Sequence, residues 1–307
     1  MMKAAIDIGT NTTLLLIAKV SNGNLEVLHE AQRIPRLGKG VDKNGRLSDE
    51  AMQRVINVLL EYQENIEEHF PAVDAVRVTA TSAVRDASNR SAFLDLVAEQ
   101  TGWQVEILSG FEEAQLTYLG AYSVIGSTAD SQHIVIDIGG GSTEVASGGG
   151  RIVRDRYSYD MGCVRFTERF LNDDPPNFQQ LSECRRAIQK VLEEFEFNFV
   201  DEASLTGVAG TVTSLAYIDQ ELEAYDPSSL DGYEISQATV AKYISRVQQH
   251  SSEWLRQTYP TVMEGRADIF LAGLLILEEF MGKYDFRSVV CSTGGIRHGA
   301  IVSNSEG

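Results

Sequence analysis

The chain has 307 residues, a formal charge of −18, 43% hydrophobic residues and 23% charged residues. The length admits two domains of about 150 residues each, each with its own core. The balance excludes a disordered chain, and the negative charge excludes a generally basic surface for nucleic acid or an anionic membrane.

From the N-terminus, Met1 to Asp7 leads straight into a strand pattern, without the cationic, apolar and small-residue succession of an export signal. A short strand, Ala4 to Ile6, runs into Asp7-Ile8-Gly9-Thr10-Asn11-Thr12-Thr13. A second strand, Leu14 to Val20, follows, then a turn at Ser21-Asn22-Gly23-Asn24 and a third strand. Helical periodicity spans Ser48 to Phe70 and Ser91 to Thr101, with strands at Ala75 to Ala80 and Gln104 to Leu108. Ser109-Gly110-Phe111-Glu112-Glu113-Ala114 opens another helix directly after a strand. Ser127 to Ser131 is small and polar, which suits a link and divides the chain into domains 1–125 and 126–307.

The opening pattern then returns 130 residues later. His133 to Ile136 leads into Asp137-Ile138-Gly139-Gly140-Gly141-Ser142-Thr143, then a strand at Glu144 to Ala146, a turn at Ser147 to Gly150 and a third strand. Helices at Leu181 to Val200 and Ser236 to Gln249 and strands at Ser204 to Val208 and Ser288 to Cys291 complete the second half. The apolar run Ile269 to Leu277 is half of what a bilayer span requires and reads as a buried helix. Both halves open with a β-meander and continue with crossovers, which indicates α/β layers. Cys163, Cys184 and Cys291 are scattered without a CxxC pair, so neither a disulfide framework nor a zinc site is expected, and a reducing cytoplasm fits best.

Gly139, Gly140 and Gly141 remove side chains from successive positions and let backbone N–H groups approach a phosphate, with Ser142, Thr143, Thr10, Thr12 and Thr13 as hydroxyl donors. The same glycines also suit ordinary tight turns. No GxxxxGK[ST] is present, and a strand rather than a helix follows the glycines, so neither a P-loop nor a dinucleotide fingerprint is expected. Asp7 and Asp137 end the two first strands, with Glu144 on the next strand. Anions beside anions call for a cation such as Mg2+, although either Asp alone also suits a turn cap. Arg85, in Thr79 to Ala87, stands at a strand-to-helix turn where it meets either an anion or the neighbouring Asp86. Glu112 and Glu113 either favour a helix dipole or supply a general base. Gly207 to Thr213, including Gly210 and Thr211, and Ser292 to Arg297 are further Gly- and Thr-rich turns suited to phosphate contact. The five histidines lack ligand spacing, and no GxSxG occurs.

Taken together, these segments resemble the exopolyphosphatase and guanosine pentaphosphate phosphatase family of the sugar kinase, chaperone and actin-like superfamily. DIGTNTT at Asp7, RLGKGVDKNGRLSDEA at Arg36, ATSAVRDASN at Ala80, SGFEEA at Ser109, DIGGGSTE at Asp137, MGCVRFTERF at Met161, GVAGT at Gly207, GRADIFLAGLLIL at Gly265 and STGGIR at Ser292 stand in the family's order. The resemblance implies two ribonuclease H-like domains of the actin-like ATPase type around a phosphate-binding cleft. It also implies magnesium-dependent hydrolysis of a terminal phosphoanhydride in polyphosphate or guanosine pentaphosphate. By motif position Glu113 is similar to the water-activating base, Arg85 to the phosphate-binding arginine, and Asp137 to the metal and phosphate-loop aspartate. Gly139, Gly140, Ser142 and Glu144 match the rest of that loop, Asp7 through Thr12, Asn11 included, match the first loop, and a homodimer is plausible for the family.

Two features depart from the family pattern. The sequence ends soon after GGIR where longer family members carry a further helical region, so the resemblance does not extend to processivity on long chains. His298 stands where the family commonly has Glu, which is expected to alter substrate preference or pH dependence. Against the overall charge, binding of an anion is expected to depend on Arg33, Arg36, Arg85 and Arg165 and on the metal. The alternatives are a kinase of the same superfamily and a sensor that binds guanosine tetra- or pentaphosphate without turnover.

Overall fold

A computed structural model describes residues 1–21, 24–126, 132–200 and 203–303. The first half runs β1 (Met2–Ile8), β2 (Thr13–Ser21), β3 (Asn24–Arg33), a short α1 (Val41–Asn44), α2 (Asp49–His69), β4 (Val73–Ala80), a short α3 (Ser82–Asp86), α4 (Arg90–Thr101), β5 (Val105–Ile107) and α5 (Gly110–Ile125). The second half begins with β6 (His133–Ile138), β7 (Thr143–Gly149), β8 (Ile152–Tyr159), α6 (Cys163–Phe170), α7 (Phe178–Leu192), β9 (Ser204–Val208) and α8 (Ala209–Asp219). It continues through α9 (Pro227–Leu230), β10 (Glu234–Ser236), α10 (Gln237–Val247), α11 (Ser252–Thr258), α12 (Pro260–Met263), α13 (Phe270–Lys283), β11 (Ser288–Cys291) and α14 (Ile296–Ser303).

The duplication legible in the sequence is a duplication of topology. The first sheet has the order β3-β2-β1-β4-β5 and the second β10-β11-β9-β6-β7-β8, so the meanders β1-β2-β3 and β6-β7-β8 occupy matching places. In each, the central strand pairs antiparallel with the next and parallel with the strand after the crossover. Matching loops follow from matching strands. Gly9 N–H donates to Thr12 O at 2.9 Å and Gly139 N–H to Ser142 O at 3.0 Å, so both loops turn on the same bond.

Local signals explain most element boundaries. The Ser48 hydroxyl accepts from Ala51 N–H to start α2, and Val55, Ile56, Leu59, Tyr62 and Ile66 place its apolar stripe on the sheet. The expected helix from Leu181 to Val200 stops at Leu192. Phe195, Phe197 and Phe199 alternate, and residues two apart cannot share a helix face. They build a ring ladder instead, with Phe195 stacked on Tyr157 at 4.7 Å and Phe199 against Tyr284 at 4.9 Å. The turn expected at Ser147 to Gly150 is shorter, because β7 continues through Gly149 and Gly150 alone takes a left-handed φ of 57°. The expected link Ser127 to Ser131 and part of the first turn, Asn22 and Gly23, lie outside the described residues.

The apolar run at Ile269 to Leu277 lies within α13, whose Leu274, Leu275, Ile276 and Leu277 are wholly buried. No helix among the described residues is long and apolar enough to cross a membrane. Two helices exchange places between the halves. α5 packs Ala114, Tyr118 and Ala121 against Val135, Ala146 and Val208 of the second half, while α14 packs Ile296, Ala300 and Ile301 against Ala5, Leu16 and Ala18 of the first. These helices touch backbone to backbone. A Cβ on Gly299 would strike the Leu116 carbonyl, and one on Gly120 would strike that of Gly295.

Candidate active site

The loops after β1 and β6 face each other across a cleft of about 1160 Å³, open solvent at its mouth included. Asp7, Thr10, Asn11, Thr12, Glu113, Asp137, Gly139, Gly140, Ser142, Glu144, Gly210 and Thr211 all line it. Residues spread over more than 200 positions of sequence thus meet at one place. Gly141 and Arg85 do not reach the wall. Gly141 lies behind it, where a Cβ would sit 2.6 Å from Ser82 Oγ, and a Cβ on Gly140 would sit 2.7 Å from Thr10 Cβ. These glycines therefore let the two loops approach each other as well as an anion. Arg85 stands behind Glu113, donating to its Oε1 and to Leu108 O.

Not every expected hydroxyl faces the cleft. Thr143 Oγ1 donates inward to Met161 O at 2.7 Å, and Thr13 is wholly buried. Both follow from strand alternation, since each is the first residue of its strand and points into the core.

The carboxylates divide into two sets. Asp7 and Asp137 are nearly buried and each has one weak hydroxyl partner, Thr79 at 3.5 Å and Thr117 at 3.2 Å. Burial, then the charge of Asp137, pushes Asp7 up to about 7, and burial pushes Asp137 up to about 6. Glu144 accepts from Ser158 Oγ at 2.6 Å and is pushed up to about 7 by burial and then by Asp137. Burial, then the charge of Glu144, raises Glu113 well above the usual carboxylate range, with Arg85 opposing. Four carboxyl groups at elevated pKa in one cleft mark a site short of positive charge.

That shortage fits a divalent cation. Asn11 Oδ1 is buried with no hydrogen-bond partner, a further oxygen open to a hard ion. Among the described residues, no three His, Cys, Asp or Glu side chains group closely enough to hold a metal. Asp7, Asp137 and the Asn11 oxygen are the donor types of Mg2+, which takes one or two carboxylates and completes its shell with water and phosphate oxygens.

The arginines expected to attract an anion are instead occupied. Arg33 pairs with Glu61, Arg36 with Asp268, and Arg165 with Asp42 and Asp86. Each long side chain finds a carboxylate partner, as an excess of acidic residues favours. The cations on the cleft wall are Arg266 and Arg297; the sequence places Arg297 at the end of a turn suited to phosphate contact and assigns Arg266 no role. Arg266 sits against Gly210 with Nη1 3.2 Å from Ser214 Oγ, and burial lowers its pKa. Arg297 donates to Leu15 O and lies 2.9 Å from Glu30. Their signal was present in GRADIF and GGIR, where an arginine interrupts apolar or glycine-rich sequence. Tyr225, half-exposed on the same wall, carried no signal of its own.

His298 lies behind the cleft wall and not on it. It is buried, its Nδ1 accepts from Gly295 N–H at 3.4 Å, and burial and then Arg297 push its pKa down to about 3.

One further correspondence escapes the sequence reading. Gly38 N–H donates to Thr10 O at 2.8 Å, and Val164 N–H donates to Gly140 O at 2.9 Å. RLGKG after β3 and MGCVR after β8 thus back their phosphate loops in the same way.

The comparisons with known proteins agree with this geometry. A family model described as the Ppx/GppA phosphatase family matches residues 16–306. Exopolyphosphatase 2 of Mycobacterium tuberculosis is 38% identical over 287 residues, covering 90% of this chain and 88% of that protein. The crystal structure of the Aquifex aeolicus Ppx/GppA family member is similar at a TM-score of 0.83 and 30% identity, covering 99% of this chain and 97% of that one. An exopolyphosphatase from Cytophaga hutchinsonii is similar at a TM-score of 0.87 and 25% identity, covering 99% and 98%. The fold is accordingly the expected pair of ribonuclease H-like, actin-like halves, and the chain is a phosphohydrolase belonging to the Ppx/GppA phosphatase family.

Proposed function

We propose that the chain releases orthophosphate from the terminal phosphoanhydride of inorganic polyphosphate, with guanosine pentaphosphate as an alternative substrate of the same cleft. The observation that carries this reading is the buried Glu113, raised in pKa and held by Arg85, on the wall that also carries both phosphate loops. The terminal phosphate lies between the loop of Thr10, Asn11 and Thr12 and the loop of Gly139, Gly140, Gly141 and Ser142. Backbone N–H groups and hydroxyls there hold its oxygens, and Gly210, Thr211 and Arg266 hold the preceding phosphates.

Glu113 orients a water in line with the departing bridge oxygen and takes its proton at Oε1 or Oε2. A carboxylate raised toward neutrality is a better proton acceptor than an ordinary one while still ionised in part. An arriving phosphate draws Arg85 off Glu113, which neutralises phosphate charge and raises the basicity of Glu113 in the same movement. Asp7 and Asp137 would hold Mg2+, with Glu144 supporting from the next strand. When bound, the ion neutralises phosphate charge and polarises the phosphoryl group.

The same proposal takes domains 1–125 and 126–307 as the two halves, with α5 and α14 crossing between them. It includes a cytoplasmic enzyme and a homodimer, with no nucleic-acid or membrane partner. The test is phosphate release with Mg2+ from polyphosphate, guanosine pentaphosphate and ATP, with Glu113→Gln in parallel. Turnover is expected to fall about 10²-fold or more in the variant, with binding largely kept. Near-parental turnover would reject the base assignment. Full activity in excess chelator would reject the metal, and binding without release would replace hydrolysis with sensing.

A further inference from the structure

Loop N–H groups can face an anion only if the carbonyls of the same loop are satisfied elsewhere. In the second phosphate loop the start of α6 does this. Gly139 O accepts from Cys163 N–H at 2.9 Å, and Gly140 O from Val164 and Arg165 N–H at 2.9 and 3.1 Å. The third carbonyl, Gly141 O, accepts from a side chain, Arg165 Nε at 2.6 Å.

The same guanidinium spans the two halves. Its Nη1 lies 3.0 Å from Asp42 Oδ1 and its Nη2 2.6 Å from Asp86 Oδ2, both in the first half. Asp86 directly follows Arg85, which holds Glu113. At the first loop Thr10 O and Asn11 O accept instead from the backbone N–H groups of Gly38 and Arg36, and the Arg36 guanidinium pairs across the halves with Asp268. Among the described residues the asymmetry is that Arg165 reaches a loop carbonyl with its side chain while also spanning the halves. Arg165 is mostly buried, and its planar fork meets three acceptors from two directions, which a point-charge ammonium cannot do.

We propose that Arg165 is a positioning residue. It ties the second phosphate loop to the Arg85–Asp86 turn, so that the loop and the Arg85 that holds Glu113 come into register only when the two halves are closed on each other. It touches no substrate and acts through Gly141, Asp42 and Asp86. Opening the cleft must break the contacts to Asp42 and Asp86 while leaving that to Gly141, so closure and loop geometry become one event. The proposal rests on the cleft being the phosphohydrolase site described above.

The test measures kcat and KM for phosphate release from short-chain polyphosphate with Mg2+, and the radius of gyration by small-angle X-ray scattering, for the parent, Arg165→Met and Arg165→Lys. Arg165→Met is expected to lower kcat about tenfold or more with a much smaller change in KM, and to scatter as a wider particle at a nearly unchanged melting temperature. Arg165→Lys is expected to recover only part of the loss. A kcat of Arg165→Met within about twofold of the parent, a loss confined to KM, or scattering that superimposes on the parent overturns the proposal. If Arg165→Met does not fold, Arg165→Lys decides: parental kcat overturns the proposal and a loss supports it. If the parent releases no phosphate from any substrate, the functional reading of the cleft fails, and the scattering comparison then decides the inter-half tie alone.

Discussion

Asp7 and Asp137 show how a pair of identical side chains acquires a role from position. Each ends a central strand, each is cut off from bulk water, and each is raised in pKa, Asp7 to about 7 and Asp137 to about 6. A carboxylic acid whose folded pKa exceeds its unfolded value adds stability that is complete below the unfolded value. That stability is lost as pH rises through the folded one. For Asp7 and Glu144 the window runs from about 4 to about 7. Metal-free protein is therefore expected to lose melting temperature as pH rises across that window. The stabilisation by Mg2+ is expected to grow over the same range, because the ion binds the ionised groups. Thermal melts at several pH values, with Mg2+ and with chelator, check both slopes. An Mg2+ effect that shrinks with rising pH would reject the assignment of these carboxylates. The aspartates and the loop glycines were legible in the sequence because their spacing repeats, whereas the occupied state of Arg33, Arg36 and Arg165 was not, because no local pattern names a partner distant in sequence.

The elements that make the cleft a single site are α5 and α14. Each belongs in sequence to the segment next to one half and packs on the other, and their backbones meet at Gly120, Gly295 and Gly299. Gly299→Ala places a methyl against the Leu116 carbonyl, where only backbone can give way. The variant is expected to be destabilised by about 1–3 kcal/mol, the usual cost of overpacking, and to lose activity as the crossing shifts. Urea unfolding with parallel phosphate-release assays measures both. Gly102→Ala serves as a comparison, since no atom lies within 4 Å of its Cβ position and its only penalty is a left-handed φ of 73°. The helices themselves follow from signals in the sequence. α5 carries a capping box in Ser109 and Glu112, and α14 starts at Ile296, directly after the two glycines of GGIR. Their exchange between halves does not, because amphipathic periodicity says that a face is buried and not against which sheet.

For the chain taken entire, the formal charge of −18 opposes any polyanionic substrate. Among the cations at the cleft, Arg266 is half-buried with its pKa lowered by burial and Arg297 lies beside Glu30, so attraction is short-ranged while repulsion is long-ranged. Salt screens the long-range part first, with a Debye length near 10 Å at about 0.1 M. Raising monovalent salt from about 50 to about 200 mM at fixed Mg2+ is therefore expected to lower KM for long polyphosphate. A KM that rises with salt would show that attraction by exposed cations dominates instead. This sign is opposite to that expected from four exposed arginines, and pairing of those arginines with Glu61, Asp268, Asp42 and Glu113 is the reason.

The linear order of residues was enough to establish the duplication, the meander that opens each half, the two Gly- and Thr-rich loops and the carboxylates beside them. All of these are short-range patterns of strand alternation, glycine and turn chemistry, which a chain expresses wherever it folds. Packing settled the rest. It turned Thr13 and Thr143 inward, stopped α7 at Leu192 where alternating phenylalanines form a ladder, and kept His298 neutral by burial. It also set Arg85 behind Glu113, brought Arg266 and Arg297 to the cleft wall, and aligned Gly38 with Val164 as twin supports for the loops. Each of these depends on which distant groups exclude water from a side chain or satisfy it, and that information exists only once the two halves are in contact.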